Sequence, residues 1–454
     1  VKLKRVLTLR TIVSTSAGLT LASSSFIAAV QVAGFLAGDS AWIAILIGGL
    51  LCLAGAACFS ELNGRLPSAA GIRLYFSRAF NDRLALVVSL LYMAVIMGVV
   101  GAESYVLGNV LTMAVPAVSP LVWIVIMLVA ATLLNLRGIK IAGAFQDIIT
   151  YGLIVSLLVL SFLALNRVGF HLTTPLSPGG AGNLISAVAV GVFLYVGFEW
   201  VTPLAEEVTD SRLISRGMLL AVGILSVVYA LFTVAMTATA PRTELLASPA
   251  PQMVFARHLL GEPGVIWMVA VSLAASATTF NAGLISVSRF VYASAREHVL
   301  PPVFSRVSTI FFTPWVAIAG VFAVGLSVSL AVVLTRHYLV LVNLAAAMES
   351  IVYALAGLAV LRLRKKNPAA HSPYRVRGGM FIPVMTALVF AGLAVAVALT
   401  NIWVGGYLLA GVLLSWWYVS YVVPRIKQKY QVRRPARRRR PAAEPSDPAG
   451  CEKT

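Results

Sequence analysis

The 454-residue sequence predicts an all-α protein that crosses a membrane many times, on three observations. Hydrophobic residues make up 59% of the chain and charged residues only 11%, where soluble domains carry about 25% charged residues. Apolar runs of about 20 residues, each enough to cross a bilayer as a helix, recur along nearly the whole length. The net charge of +19 sits mostly in the short connections and the tail. That is the positive-inside bias of a membrane protein and argues against a nucleic-acid partner. A β-barrel is excluded, since its strands are shorter and alternate in polarity.

The basic start (Lys2, Lys4, Arg5, Arg10) runs into a long apolar segment without a short apolar core or a small-residue cleavage site. The first span is therefore expected to remain in the mature protein. Twelve spans are predicted, at about 11–36, 41–63, 84–113, 119–136, 147–166, 184–208, 217–239, 265–295, 314–335, 338–362, 380–400 and 402–423. The third and eighth are long enough to tilt or to run past the bilayer.

Lys and Arg then set the orientation. With the N-terminus inside, 31 of the 35 basic residues face the cytoplasm, and only Arg167, Arg242, Arg257 and Arg336 face outward. Both termini are thus expected to be cytoplasmic, in a plasma or inner membrane. The basic cluster Arg437–Arg440 follows the last span closely. It reads as a disordered positive-inside tail, with contact to anionic lipid as the sharper alternative.

Cys52, Cys58 and Cys451 form no disulfide pattern, and the five His residues scatter near span ends, so no metal site is expected. No Walker-type loop is present, and nothing inside the spans resembles a Ser/His dyad, paired aspartates or a zinc motif. An enzyme is not expected, and no cofactor beyond a coupling H+ or Na+.

Two spans carry features that are costly at mid-membrane. Span 1 holds Ser14-Thr15-Ser16-Ala17-Gly18-Leu19-Thr20-Leu21-Ala22-Ser23-Ser24-Ser25-Phe26. Such small and hydroxylated residues pack helices closely, and they also suit a helix that unwinds and offers free N–H groups to an anion. Span 6 reads Phe193-Leu194-Tyr195-Val196-Gly197-Phe198-Glu199-Trp200, with Pro203 following. Interrupted helices at corresponding places in two five-helix halves point to the binding site of a transporter.

Several stretches together resemble the amino acid–polyamine–organocation superfamily. Glu61-Leu62-Asn63-Gly64-Arg65-Leu66-Pro67-Ser68-Ala69-Ala70-Gly71 is similar to the connection after its helix 2, and Asn135-Leu136-Arg137-Gly138-Ile139-Lys140 with Phe145-Gln146-Asp147 to that after helix 4. Gly197-Phe198-Glu199 with Ala205-Glu206-Glu207-Val208 is similar to helix 6, and Ser288 to Glu297 with Leu300-Pro301 to the exit of helix 8. The resemblance runs from span 1 to about Arg364. It implies the LeuT-like fold: a 5+5 inverted repeat with two peripheral helices, and helices 1 and 6 discontinuous.

On that pattern the chain divides into an N-terminal segment (1–10), a first repeat (11–166), a second repeat with its preceding outer loop (167–362), a connection with helices 11 and 12 (363–423) and a basic tail (424–454). The family's Gly-Ser-Gly-Ile-Phe falls on Ala22-Ser23-Ser24-Ser25-Phe26, so both motif glycines are replaced. Carried over by position, Ser23 and Ser24 face a substrate carboxylate. Thr20, Phe193 and Val196 offer carbonyls to its ammonium, beside Gly197, and Phe193 serves as gate. Opposite partial charges at two half-helix ends suit a zwitterion without using formal charges.

Three carboxyls lie within spans: Glu103, Glu199 and Glu349. Intramembrane carboxyls mark pathways or proton relays by default, and burial favours proton uptake near neutral pH. Glu199 is the leading candidate for coupling, and a matching glutamate occurs in acid-coupled members of the family. Glu103 and Glu349 either balance a cationic substrate or bond a neighbouring helix. Glu206 and Glu207 are expected near the cytoplasmic end, paired with Arg212, Arg216 or Arg137. Many relatives carry a lysine in helix 5, and none occurs between Ile148 and Asn166. Ser276, Thr278 and Thr279 on span 8 could instead line a sodium-like site, or pack against other helices, and Asn281 could contact substrate.

These features predict secondary-active transport of amino acids by alternating access, as proton symport or exchange. A carrier of cationic amines or polyamines is the alternative within transport. A sensor or scaffold that binds amino acids without moving them is the alternative from another class.

Overall fold

Helices dominate the residues that the computed structural model describes, which are 3–32, 41–168, 180–367, 372–400 and 402–431. Among them no β-strand occurs, and a single backbone bridge joins Leu7 to Val208. The first half comprises α1 (Leu9–Thr20), α2 (Ser23–Gln31), α3 (Ala41–Arg65), α4 (Ile72–Ala79), α5 (Asp82–Ala114), α6 (Pro120–Leu136) and α7 (Ile139–Val168). There follow α8 (Gly180–Phe193), a 3₁₀ segment (Phe198–Glu206), α9 (Arg212–Thr239), α10 (Arg242–Ala247), α11 (Pro251–Leu260) and α12 (Glu262–Arg296). The chain continues through α13 (Trp315–Thr335), α14 (Tyr338–Lys366), α15 (Phe381–Thr400), α16 (Ile402–Trp417) and α17 (Val423–Gln431).

Ten of these stretches are long and apolar enough to cross a membrane, and the bent pair α1–α2 makes an eleventh. The expected fourth span, α6, is apolar but only 17 residues long. Pro120 starts it, and Gly138 at φ +121° turns the chain after it. The count of twelve therefore depends on α6, which length alone does not qualify.

Four spans pack on the counterpart five places later: the first on the sixth, α3 on α9, α5 on α12 and α6 on α13, while α5 also packs on α13 and α14. Where α3 meets α8, Gly48 and Gly191 bring the two backbones together: a Cβ on Gly48 would stand 3.2 Å from the Gly191 carbonyl carbon. Small residues at such crossings let membrane helices approach closely. Ser60 and Ser215 tie α3 to α9 by donating to each other's carbonyls, at 3.4 and 3.2 Å.

The outermost helices α15 and α16 present their apolar side chains outward, with Leu399 80% and Leu414 68% exposed. In a membrane protein that surface faces lipid. The last span continues past the expected end at 423. A π-helical turn (Tyr418–Val422) leads into α17, so residues to 431 are helical where a tail was expected. Arg437–Arg440 and Cys451 lie outside the described residues.

Candidate functional site

Both expected interruptions are present. The first span bends by 54° between α1 and α2. Its break falls on Leu21 (φ −76°, ψ 62°) and Ala22 (φ −91°, ψ 151°). Neither conformation is left-handed, so the loss of the motif glycines does not prevent unwinding. In the sixth span, α8 stops at Phe193, residues 194–197 turn, and a 3₁₀ segment resumes at Phe198. Here Gly197 sits at φ +106°, a conformation L side chains rarely adopt. A Cβ there would also meet Leu19 Cδ2 at 2.8 Å, so the second break lies against the last turn of α1, beside the first.

The backbone groups freed in span 1 are satisfied from inside the protein. Glu103 of α5 accepts from the N–H of Ser23 through Oε1 and from the N–H of Ser24 through Oε2, each at 3.0 Å. Ser276 of α12 donates its hydroxyl to the same carboxylate at 2.5 Å. On the other side of the break, the Thr20 carbonyl accepts from Tyr229 at 2.6 Å, Ser25 Oγ at 3.0 Å and Ala22 N at 2.8 Å. A helix interrupted in a dry environment persists only when such partners exist.

The residues expected to hold substrate are bonded within the protein. Ser23 and Ser24, expected to face a substrate carboxylate, direct their N–H groups to Glu103. Thr20, expected to hold an ammonium, has its carbonyl already engaged three times. The Phe193 carbonyl accepts from Val196 N at 3.0 Å. Phe193, Val196 and Gly197 are buried at the second break. Ser23 Oγ donates to the Ser272 carbonyl at 3.0 Å, whereas the buried Ser24 Oγ has no partner among the described residues.

Glu199 follows the second break and is fully buried. Tyr92 of α5 donates to its Oε1, and Tyr353 of α14 to its Oε2 at 2.7 Å. Neither tyrosine carries a sequence signal of its own. Glu349 lies four residues before Tyr353 on α14. It is fully buried, and among the described residues neither carboxyl oxygen has a hydrogen-bond partner.

The three hydroxyls proposed for a sodium-like site do not converge. Ser276 bonds Glu103, Thr278 bonds the Ala275 carbonyl of its own helix at 2.8 Å, and only Thr279 reaches span 1, at Gly18 O, 3.4 Å. Gln146 of α7 occupies the space between spans 1, 5 and 8 instead. Its Nε2 donates to Ser14 O at 3.3 Å and its Oε1 accepts from Asn281 at 2.7 Å. Asn281, expected as a substrate contact, also donates to Ala142 O at 3.0 Å and accepts from Asn135 at 2.8 Å. Its amide is thus a structural link between α6, α7 and α12.

At the end of the bundle that carries the N-terminal segment, Glu206 and Glu207 pair with α12 and not with the arginines expected from the sequence. Arg289 donates to Glu207 at 2.9 Å with neither side chain exposed, and Arg296 donates to Glu206 at 2.6 Å. Val6 and Leu7 donate their N–H groups to the Glu207 carbonyl at 2.9 and 3.0 Å. The chain before span 1 is thereby strapped to the chain after span 6.

Two broken spans meeting at a buried, polar centre, with a strapped closure at one end, define a membrane transport protein. Residues 7–423 match the family model described as Amino acid permease, and the chain belongs to that family. Its fold is accordingly LeuT-like. It is 24% identical to the Methylthioribose transporter of Bacillus subtilis (strain 168) over 392 residues, 82% of this chain and 83% of that protein. It is 27% identical to the Asc-type amino acid transporter 1 of Homo sapiens over 381 residues, covering 79% and 70% of the two chains. It is also 27% identical to the Large neutral amino acids transporter small subunit 2 of Mus musculus over 378 residues, covering 78% and 69%.

Proposed function

We propose that this permease is a secondary-active carrier of amino acids and related amines, working by alternating access around the two breaks and without covalent chemistry. The observation that carries the reading is the packing of Gly197 at the second break on Leu19 beside the first, with the buried carboxyls Glu103 and Glu199 bonded close to the two breaks. Helix ends there, capped by Glu103 and Tyr229, can exchange those partners for a small charged solute, and the two repeats can rock about it. The family membership and the names of the amino acid transporters among the relatives support the substrate class.

The coupling ion in this reading is a proton. Glu199 is held between two tyrosine hydroxyls beside the second break, and Glu349 lacks a hydrogen-bond partner among the described residues. A buried carboxyl without a cation or hydrogen-bond donor is costly in its ionised form. Binding a proton from one side and releasing it to the other is the natural way to use such a pair. Glu206–Arg296 and Glu207–Arg289 form the cytoplasmic closure, which must part for release. Both termini are cytoplasmic, and the basic tail contacts anionic lipid of the plasma or inner membrane.

The test is uptake of labelled amino acids into proteoliposomes under an imposed pH gradient. Uptake that rises when the outside is made acidic supports the reading. Uptake indifferent to the gradient removes the proton coupling. Specific binding of amino acids with no movement across the bilayer would identify a sensor or scaffold instead.

A further inference from the structure

We propose that the site prefers an amine carrying no free carboxylate over the corresponding amino acid, because Glu103 stands where a substrate carboxylate would sit. The proposal rests on the carrier reading above and narrows its substrate class.

The N-terminus of α2 presents two N–H groups at the break, and it is the positive end of a helix dipole. Both donors are spent on the two oxygens of Glu103, and the Ser276 hydroxyl adds a third bond. Glu103 is fully buried and tethered to α5, so it competes as an intramolecular ligand at high effective concentration. A free carboxylate arriving from water would have to displace it. Displacement would leave Glu103 desolvated and stripped of three donors, which a buried anion tolerates poorly.

A second observation bears independently on the ligand. Among the described residues, Glu103, Glu199 and Glu349 form no ion pair; every acidic partner in the salt bridges is another residue. Glu349 is fully buried with no hydrogen-bond partner among those residues. The region of the breaks thus holds acidic side chains that no Lys, Arg or His balances. An alkylammonium brings one positive charge to it, whereas a zwitterion brings none in sum. Buried charge is stable when paired, so the cation is the better guest.

Matched ligand pairs that differ only in the carboxylate test this on the purified protein. Agmatine is compared with arginine and 3-methylbutylamine with leucine, by thermal stabilisation and by competition for uptake in proteoliposomes. Ligands stabilise the state they bind, so the two readouts should rank the pairs alike. The expected result is that each amine acts at concentrations at least about tenfold lower than its amino acid, a difference of about 1.4 kcal/mol. In Glu103→Gln, which keeps the side chain's size and one acceptor oxygen, that preference should shrink at least about tenfold or reverse. An amino acid that binds the wild type as tightly as its amine overturns the proposal while leaving the carrier reading intact. A preference of unchanged size in Glu103→Gln overturns it as well. Amine-selective binding without uptake sustains the proposal and overturns the carrier reading.

Discussion

Arg289 and Glu207 face each other at 2.9 Å with neither side chain exposed, and the Glu207 carbonyl holds the N–H groups of Val6 and Leu7. One residue thus links span 8, the end of span 6 and the chain that enters span 1. Removing one partner from such a buried pair costs about 3–5 kcal/mol, because the other is left uncompensated. Arg289→Met should therefore lower the thermal midpoint of the purified protein sharply. The double variant Arg289→Met/Glu207→Gln should recover much of the loss. A single variant as stable as the wild type would mean that the pair does not lock this end.

Gly197→Ala tests the second break. Its φ of +106° is outside the region that alanine adopts readily, and the added carbon would press on Leu19. Left-handed backbone costs an L-residue roughly 1–2 kcal/mol before any clash. Uptake should fall at least about tenfold while the protein remains folded by circular dichroism. Normal uptake in this variant would show that the break tolerates a side chain and that its geometry is not needed for transport.

Glu199→Gln addresses coupling. Gln keeps the size of the side chain and one acceptor for Tyr92 or Tyr353, but it cannot bind and release a proton. If Glu199 carries the coupling proton, wild-type uptake increases as the outer pH falls, and the variant loses that slope. The check is initial rate against outer pH at fixed inner pH. A variant with the wild-type slope would transfer the coupling role away from Glu199, with Glu349 next to be examined.

The ion dependence follows from where the span 8 hydroxyls point. Only Thr279 reaches a span 1 carbonyl, while Ser276 is bound to Glu103 and Thr278 to its own helix. A sodium site needs several oxygens converging, and the Gln146 amide fills the gap between spans 1, 5 and 8. Replacing external Na+ by K+ should leave the rate of uptake unchanged. A rate that collapses in K+ would show that these hydroxyls regroup around sodium during the cycle.

The sequence made the broken spans visible to different degrees. Gly197, Glu199 and Pro203 within one apolar run have no comfortable place in a continuous helix, so the second break could be read directly. The first break could not be located as well, since Leu21 and Ala22 unwind at ordinary negative φ and leave no glycine signature. What holds that break open is Glu103, some 80 residues away in the chain, and a glutamate in a span does not announce which neighbour it caps. The same holds for Tyr92, Tyr353 and Gln146. Each is unremarked as a residue type, and each gains its role from a helix contact that only the folded arrangement supplies. Glu206 and Glu207 were legible as charges near a span end, but nearness in sequence suggested Arg212 or Arg216, while packing of the 3₁₀ segment on α12 delivered Arg289 and Arg296. Span 4 shows the limit of counting by length, because α6 has 17 residues, close to the 119–136 read from the sequence but short of the about 20 that a bilayer crossing takes.

Counterflow in proteoliposomes tests alternating access most directly. Vesicles loaded with a high concentration of an unlabelled amine or amino acid are diluted into a trace of the labelled compound, with no ion gradient present. A site that alternates between the two faces of the membrane predicts transient accumulation of label above equilibrium, abolished in Gly197→Ala. Saturable binding of the same compound with no accumulation of label inside would contradict transport through the two breaks.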